Sequence, residues 1–577
     1  MSRLVKITAM IALLVFVALG GITALTALAD APAPTSPALA GIVIDTEGKP
    51  VEGALVRVYL TVYTTTTAAD GSFTLTNLAI TQPVSVTAWA AGYYVGFTTA
   101  LPSLEPVTIT MKPHYTTDNV DYPWFSFGGE TGSASCGLCH TANPEWEADA
   151  HSQAAVNPRF LTLYEGSDVH GNLGQLTQRD VSGKVVPPAA DQADYGPGFR
   201  LDYPNRAGNC ASCHTPAAAK LSNTTNCGWS GCHTNATSAH SPQVPDGVSP
   251  LHLTGDAAEG IGCDFCHKIG EVYLDPKNDL PYPDMPGILS MRLFRPNEDD
   301  QLFFGPYDDV PRRDTYLPLQ EESAFCAPCH YGVFGGIVGD KKVAGGTVIY
   351  NSYGEWLDSP YSDPQTGQTC QQCHMPPVEN KNYVFPEQGG KERDYKPVHN
   401  HLMPGAKDEN LLQNSVTMTT TATLKGQEVT VKVSITNDKT GHHVPTDVPL
   451  RHMILVIKAT DANGKLLRLS SGPVLPDWTG NYAGQPGRYY AKILEDTWTG
   501  EIPTAAYWRD VRLVEDTRLA AFATDVSRYA FVAPAQGQVK IEATLVFRRA
   551  FQKLMEQKGW NDPDIVMENE TVMVNVP

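Results

Sequence analysis

The sequence predicts a multidomain protein: a small β-sandwich, then a mostly irregular region with short helices, then a C-terminal β-sandwich. Short alternating strands separated by Gly and Asp turns run from about residue 40 to residue 112. Strand patterns return from about residue 414 to the end of the chain. The region between them is rich in Pro, Gly, Asn and Asp, and it contains all twelve cysteines.

The N-terminal residues have the pattern of an export signal. A short basic stretch ending at Lys6 precedes an uncharged apolar run over residues 7–29, which closes on the small-x-small site Ala27-Leu28-Ala29. We therefore expect a signal peptide over residues 1–29, a Pro-rich linker over 30–39, and a mature protein that is periplasmic, extracellular or at the cell surface. The apolar run is also long enough to remain as a membrane anchor, and this alternative stays open.

The net charge limits the classes of partner. Asp and Glu total 62 against 42 Lys and Arg, which gives a formal charge of -20. Such a surface disfavours nucleic acid and anionic membranes. Cationic proteins, metal ions and oxidised minerals are compatible with it.

The cysteines fall into six pairs, and each pair is followed at once by a histidine. One motif, made of Cys227, Cys232 and His233, has four residues between its cysteines. The other five have the form Cys-x-x-Cys-His: Cys136, Cys139 and His140; Cys210, Cys213 and His214; Cys263, Cys266 and His267; Cys326, Cys329 and His330; and Cys370, Cys373 and His374. A disulfide framework or a set of zinc sites would not require a histidine after every pair.

This order of residues is the one that covalent haem attachment needs. Two thiols add to the two vinyl groups of the haem, and the next residue presents a ring nitrogen to the iron from the same side. The sequence thus predicts six haem c groups. The proximal iron ligands are predicted to be His140, His214, His233, His267, His330 and His374.

Ten further histidines could supply the second axial ligand of each iron. His151 follows a predicted helix that begins at Asn143-Pro144. His399 and His401 alternate in an extended segment, and His442 and His443 are adjacent, so we favour one residue of each pair. The six candidates are His151, His252, His401, His442, His240 and His170.

Parts of this assignment of distal ligands stay open, and two histidines are left out of it. Methionine is a rival ligand at any one iron. His114 and His452 are expected to be solvated residues at a domain boundary and on a strand. The candidates His240 and His170 complete the set of six without a specific local pattern.

Residues 45–51 leading into Gly53-Ala54-Leu55-Val56, residues 69–73 and Ala91-Gly92-Tyr93 resemble the carboxypeptidase regulatory-like domain. That family has a small transthyretin-like β-sandwich. The resemblance implies a structural or attachment module over residues 40–113, without catalysis.

A second resemblance lies in Phe325-Cys326-Ala-Pro-Cys329-His330, in Cys370 to Pro376 and in His401-Leu-Met-Pro-Gly405. These segments are similar to periplasmic and cell-surface multihaem cytochromes c. The resemblance implies a hexahaem domain over residues 114–410, with the histidines at 151, 401 and 442 as distal ligands. Gly487-Arg-Tyr-Tyr-Ala-Lys and the segment around Arg518 resemble a domain found on related cytochromes, which implies a C-terminal β-sandwich over 411–577 docked on the haem domain.

Three functions follow as hypotheses. The first is an electron-transfer protein without catalysis of its own that relays electrons between redox partner proteins and an extracellular acceptor. The second is a multihaem oxidoreductase, which would need one iron with an open coordination position. The third is a homopolymeric conductive filament whose β-domains join subunits by pairing edge strands.

Overall fold

The computed structural model describes residues 38–577 except 79–81, 102–104, 120, 190, 205–207, 209, 218–250, 252, 284, 298–299, 312, 335–336, 339–340, 343–345 and 394. The predicted signal peptide, most of the linker, the wide motif of Cys227, Cys232 and His233, and the candidates His240 and His252 lie outside the described residues. The chain divides into two compact units. The first ends at Ala90 and includes Gly96–Lys112, and the second comprises Ala91–Val95 and Pro113–Pro577.

The first unit contains two β-sheets. In the smaller sheet, Leu39–Asp45 pairs antiparallel with Ser72–Leu75 and parallel with Val107–Met111. The order of the larger sheet is Thr64–Thr66, Leu55–Val58, Val84–Trp89 and Gly96–Ala100. The strands form because apolar residues alternate with polar ones: in Ser72–Leu75, Phe73 and Leu75 are buried and their neighbours are exposed.

Two four-stranded sheets dominate the C-terminal part of the second unit. One has the order Thr417–Lys425, Glu428–Thr436, Thr524–Val532 and Leu469–Ser471, and the other has the order Gly487–Tyr490, His452–Thr460, Gly537–Arg548 and Ile565–Val576. Lys492–Asp496 and Val511–Asp516 form a separate pair of strands. The strands predicted at both ends of the chain are thus confirmed.

The core of this C-terminal sandwich lies between its two large sheets. Val431 and Val433 point inward from Glu428–Thr436, while Lys432 between them is exposed. They pack against Leu455 and Ile541 of the facing sheet. Burial of these side chains, each worth about 1.5–3 kcal/mol, stabilises the sandwich.

The region between the β-domains has short helices joined by turns. The helices are Gly132–Gly137, Asn143–Ala148, Pro158–Glu165, Phe199–Asp202, Ala211–His214, Cys263–Cys266, Ala327–His330, Ser352–Leu357 and Cys370–His374. Single 3₁₀ turns cover Gly255–Ala258, Gly287–Ser290, Pro318–Glu321, Ser323–Phe325, Pro360–Ser362 and Pro386–Gln388. The helix Glu409–Gln413 leads into the C-terminal sandwich, and the helical segments Asp477–Tyr482 and Gln552–Lys558 lie within it. Within the described part of the chain, no helix is both long and apolar enough to cross a membrane.

Two-stranded ribbons connect these helices. They pair Ser126–Phe127 with Glu130–Thr131, Gln178–Arg179 with Val185–Val186, Ile269–Val272 with Met291–Leu293, Leu274–Asp275 with Leu280–Pro281, Phe303–Gly305 with Asp314–Tyr316, Gly332–Phe334 with Thr347–Tyr350, and Ile337–Val338 with Lys341–Lys342. A small apolar core lies beneath them, with Trp124, Phe265 and Ile288 buried and Cys266 and Cys329 packed against it. Two of the cysteine motifs therefore contact this core directly through a cysteine side chain.

Candidate haem-binding site

Each of the five described cysteine motifs folds as one helical turn. In four of them the N–H of the histidine donates to the carbonyl of the first cysteine: His140 to Cys136 at 2.9 Å, and His214 to Cys210, His267 to Cys263 and His330 to Cys326 at 3.1 Å each. The fifth motif is the helix Cys370–His374. Because residues three and four apart lie on one face of a helix, both sulfurs and the imidazole project to the same side.

Both main-chain hydrogen-bonding groups of Cys139, the second cysteine of the first motif, have partners. The N–H of Cys139 donates to the carbonyl of Cys136 at 3.0 Å, and the carbonyl of Cys139 accepts the N–H of Phe385 at 2.8 Å. Its side chain is half-buried and carries a free thiol. Cys139 therefore lies where the sequence predicts a second haem-attaching thiol.

The structure does not describe the wide motif, which has four residues between its cysteines. Cys227 and Cys232 both lie outside the described residues, as does His233. Attachment of the sixth haem by Cys227 and Cys232 therefore stays a prediction from the sequence.

Serine and threonine side chains hold the starts of these turns. Thr369 forms a capping box with Gln372 at the first turn of Cys370–His374. The hydroxyl of Ser133 accepts the N–H of Cys263 at 2.8 Å, and that of Ser323 accepts the N–H of Cys370 at 3.0 Å. Ser133 and Ser323 each precede a different motif, so these bonds join neighbouring motifs.

The motifs also meet through their thiols. The thiols of Cys136 and Cys263, of Cys213 and Cys329, and of Cys326 and Cys370 lie close enough to shift each other's pKa. The ten described cysteines are free thiols. The motif that contains His330 therefore touches two others, one through each cysteine.

Three of the five described motif histidines have Nδ1 hydrogen-bonded to a main-chain carbonyl. His214 Nδ1 lies 3.0 Å from the carbonyl of Ala154, and His374 Nδ1 lies 2.8 Å from that of Pro404. His267 Nδ1 contacts the carbonyl of Phe304 in the same way. A proton held on Nδ1 leaves the lone pair of Nε2 free for a metal, and it fixes the orientation of the ring.

Two motif histidines face a second histidine. The ring centroids of His151 and His330 are 6.2 Å apart, and those of His374 and His442 are 6.3 Å apart. Two imidazoles on opposite sides of one iron, with metal–nitrogen bonds of about 2 Å, have centroids roughly 6 Å apart. Both pairs combine a predicted proximal ligand with a predicted distal ligand.

The structure separates the residues of the two ambiguous pairs. His443 lies against Glu355, with its main-chain N–H donating to Oε2 at 3.2 Å, while His442 faces His374. His399 Nδ1 lies 2.6 Å from the carbonyl of Met375. His401 lies close enough to the motif histidines at 267 and 140 for their charges to lower its pKa.

Other histidines lie elsewhere. His170 is exposed and lines a cavity of about 590 Å³ with Trp560 and Asp562, whose lining contains no motif cysteine. His114 is half-buried, with its ring 5.6 Å from that of Phe304. The expectation of a solvated His452 is wrong: this residue is on a strand, but it is fully buried and its ring stacks on Phe551 because the strand is covered on both faces.

Burial controls the protonation of the motif histidines. It lowers the pKa of His140, His374 and His401 to about 4. These imidazoles are therefore neutral at pH 7, as metal ligands must be. His330 differs. Burial acts to lower its pKa, but the Asp447 carboxylate outweighs burial and raises it.

Sequence reasoning missed three carboxylates near the histidines. Asp149 contacts His151 Nδ1 at 3.0 Å, Asp447 lies 3.6 Å from His330 Nδ1, and Glu355 lies 3.6 Å from His443 Nδ1. The Asp-x-His spacing of Asp149 is a local signal, because aspartate commonly binds the main chain two residues on. Asp447 and Glu355 are remote in sequence from their partners and left no such signal.

These residues fit a haem. Each described motif places two thiols and one imidazole on one face, and two of the imidazoles have a partner at the spacing of axial ligands. In the described ranges no group of three or more His, Cys, Asp and Glu side chains converges on a metal ion. A haem iron requires only the two axial ligands from the protein.

The carboxypeptidase regulatory-like domain family matches residues 38–112. The N-terminal part of the chain is therefore a domain of this kind, as the sequence resemblance implied. No curated protein matches the chain.

Several solved structures are similar to this chain. A penta-haem cytochrome c552 from Thermochromatium tepidum is 18% identical, with a TM-score of 0.49 over 77% of this chain and 98% of that one. A type II cohesin–X-dockerin complex from Acetivibrio cellulolyticus is 14% identical, with a TM-score of 0.13 over 17% of this chain and 65% of that one. The CooA pilin subunit of enterotoxigenic Escherichia coli is 7% identical, with a TM-score of 0.13 over 28% of this chain and 99% of that one.

Proposed function

We propose that this protein is a multihaem c-type cytochrome that binds six haems covalently and carries electrons in the periplasm, at the cell surface or outside the cell. One observation carries the proposal. Six Cys–Cys–His motifs occur in one chain, and all five described motifs share the same helical turn. Haem attachment requires this repeated geometry of two thiols and an imidazole. A disulfide framework or a set of zinc sites does not require it.

The residues of each motif have separate roles. The two cysteine thiols would form the thioether bonds, and Nε2 of the histidine would bind the iron. His151 and His442 would supply the second iron ligand for the haems of the His330 and His374 motifs. When bound, each haem supplies a one-electron Fe(III)/Fe(II) couple. Hydrogen bonds at Nδ1 hold the imidazoles in place, so that little reorganisation accompanies a change of charge.

The contacts between motifs support a relay. Thiol contacts join the first regular motif to the Cys263 motif, and they join the motif of Cys326 and Cys329 to those of Cys213 and Cys370. Cys266 lies close enough to Cys326 and Cys329 to raise the pKa of both thiols. The five described motifs therefore form one connected but branched series, in which the motif of Cys326 and Cys329 meets three others. Short separations are what electron transfer between sites requires.

The surface of the molecule supports exchange with redox partners. Cys373 is exposed, whereas the other nine described cysteines are half-buried, so the last motif lies nearest the solvent. We infer that electrons pass there to a redox partner protein, to an extracellular acceptor or to another copy of this chain in a polymer. A charge of -20 favours cationic partners and disfavours nucleic acid.

Haem quantitation and spectroscopy test the proposal. We expect six covalent haems per chain, all low-spin in the oxidised protein and insensitive to carbon monoxide after reduction with dithionite. A high-spin, carbon-monoxide-binding fraction near one haem in six would instead favour the multihaem oxidoreductase. A chain that matures in a haem-loading host without covalent haem would overturn the proposal.

The location and the polymer are tested separately. A mature N-terminus at Asp30 would support export with cleavage of residues 1–29, and an intact N-terminus in the membrane fraction would support the retained anchor. Electron micrographs at high protein concentration should show filaments if the chain polymerises. Dispersed monomers would argue against the polymer and leave the electron-transfer proposal unaffected.

A further inference from the structure

The axial pair His151 and His330 has an environment of its own. The motif of His330 touches two other motifs through Cys326 and Cys329, so it lies inside the series and not at its end. The two imidazole rings are 6.2 Å apart. Their Nδ1 atoms face two different carboxylates.

Asp149 binds His151. Its Oδ1 lies 3.0 Å from His151 Nδ1, and its Oδ2 accepts the main-chain N–H of His151 at 3.1 Å. The Asp149 side chain is only 1% exposed. This carboxylate therefore acts on the ring through a direct, poorly solvated hydrogen bond, which is stronger than a bond between neutral groups.

Asp447 lies on the opposite side, near His330. Its Oδ2 is 3.6 Å from His330 Nδ1, which is longer than a hydrogen bond but within the range of an ion pair. The side chain is 19% exposed, and Arg451 is the neighbouring cation, 4.0 Å from Oδ2. Among the described residues Asp447 Oδ1 has no hydrogen-bond partner. Its charge is thus incompletely compensated beside the ring.

Three other candidate axial ligands among the described residues have a main-chain carbonyl at Nδ1. His214 contacts the carbonyl of Ala154, His374 that of Pro404, and His442 that of His443. A main-chain carbonyl carries only a partial negative charge. The His151 and His330 pair is therefore distinguished by two carboxylates, one on each ligand.

We propose that Asp149 and Asp447 are positioning residues that give the haem between His151 and His330 the most negative reduction potential among the haems of the described motifs. This inference rests on the proposed function. A carboxylate at Nδ1 makes the imidazole a stronger electron donor and places negative charge near the iron. Both effects stabilise Fe(III) over Fe(II), so this site accepts its electron last.

The test is a spectropotentiometric titration of the full-length holoprotein and of the variants Asp447→Asn and Asp149→Asn. Each variant should raise the midpoint potential of this haem by about 59 mV or more, which is a tenfold change in the equilibrium constant of its one-electron reduction. The charge of Asp447 also reaches His214 and His442, so in Asp447→Asn the low-spin EPR signal of this haem should shift most and the signals of their haems less. Asp447→Glu, which keeps the charge, should leave the midpoint near that of the wild type.

A matched control removes a carboxylate that touches no axial histidine. Asp363 caps an exposed turn ahead of Cys370 and accepts the N–H groups of Gln365 and Thr366. Asp363→Asn should leave every midpoint within a factor of two. If it shifts a midpoint as much as Asp447→Asn does, the effect is one of net charge and the inference is wrong.

The remaining outcomes are also decisive. Six haems per chain with unchanged midpoints in both variants would overturn this inference and leave the proposed function intact. Loss of the same haem from both variants would mean that the carboxylates hold the ligands in place and do not set the potential. A wild-type chain without haem would overturn the proposed function itself.

Discussion

The imidazole rings of His374 and His442 lie 6.3 Å apart with their planes 14° from parallel. His374 belongs to the last cysteine motif, whereas His442 lies in the C-terminal sandwich, between strands Glu428–Thr436 and His452–Thr460. The sandwich thus presents a candidate ligand to the haem region. It is also tied to that region by the ion pair of Arg509 with Asp202, 2.8 Å.

The pairing of His442 with His374 predicts different results for two adjacent alanine variants. His442→Ala should convert one haem in six to a high-spin form that binds carbon monoxide, because the iron loses its second ligand. His443→Ala should keep all haems low-spin, because His443 lies against Glu355. Optical and EPR spectra of the reduced and oxidised proteins measure both. The reverse result would exchange the two assignments.

The wide motif predicts a change in haem content. The double variant that combines Cys227→Ala with Cys232→Ala should bind five haems per chain, one fewer than the wild type, because this motif then lacks both thiols. The combination of Cys136→Ala with Cys139→Ala, which removes a regular motif, is the positive control and should also lose one. A haem count that the first double variant leaves unchanged would show that the wide motif does not attach haem.

Removal of one partner of the buried ion pair between Arg518 and Glu355 should cause a large loss of stability. The two atoms Arg518 Nη1 and Glu355 Oε1 are 2.7 Å apart, and the side chains are 5% and 2% exposed. Arg518→Met leaves a buried carboxylate uncompensated, which should lower the free energy of unfolding by about 3–5 kcal/mol. Guanidinium unfolding followed by circular dichroism measures this.

The control for that variant is Arg512→Met on the neighbouring pair of strands. Arg512 binds Glu495, but its side chain is 69% exposed. Its loss should cost less than about 1 kcal/mol, because solvent screens an exposed pair. Equal costs for the two variants would mean that burial of the Arg518 pair does not matter.

Lys558 predicts a second loss of stability. Its buried ammonium donates to the carbonyls of Thr162, Ser167 and Pro197 at 3.1, 3.1 and 2.8 Å. Lys558→Met leaves three carbonyls without this donor and should cost about 2–3 kcal/mol at pH values above 10.5, where the side chain is uncharged in both the folded and the unfolded chain. Lys553→Met, in the same helix but 68% exposed, should cost less than about 1 kcal/mol. Thermal unfolding of both variants measures the difference, and coincident unfolding midpoints would contradict this prediction.

The same lysine predicts a dependence of stability on pH. Burial lowers the pKa of Lys558 from its ordinary value of 10.5 to about 8. Between these values the unfolded chain binds more protons than the folded chain, so the contribution of Lys558 to stability rises with pH across this window. The rise should total roughly 3 kcal/mol. It should be absent in Lys558→Met, and equal pH profiles of the two proteins between those two pKa values would contradict the assignment.

Local chemistry was readable from the sequence alone. Strand periodicity predicted the β-domains at both ends, because a half-buried strand needs apolar residues at every second position. The cysteine motifs predicted haem attachment, because two thiols and an imidazole within five residues lie on one short turn. The contact of Asp149 with His151 was also within reach, since the two residues are only two positions apart.

Long-range pairing was decided by the tertiary structure. The sequence favoured His442 over His443 but did not name its partner, and only the packing of the C-terminal sandwich placed His442 beside His374 and His443 beside Glu355. His452 was expected at the surface, but both faces of its strand are covered.

What the sequence by itself determined is the spacing of the two thiols and the imidazole in each motif, because that spacing depends on neighbours along the chain. Only the tertiary structure decided which histidine faces which, which motifs touch, and where Asp447 brings its charge to His330. These relationships join residues that are remote in sequence. Their distances result from the packing of whole domains, which no local pattern of residues encodes.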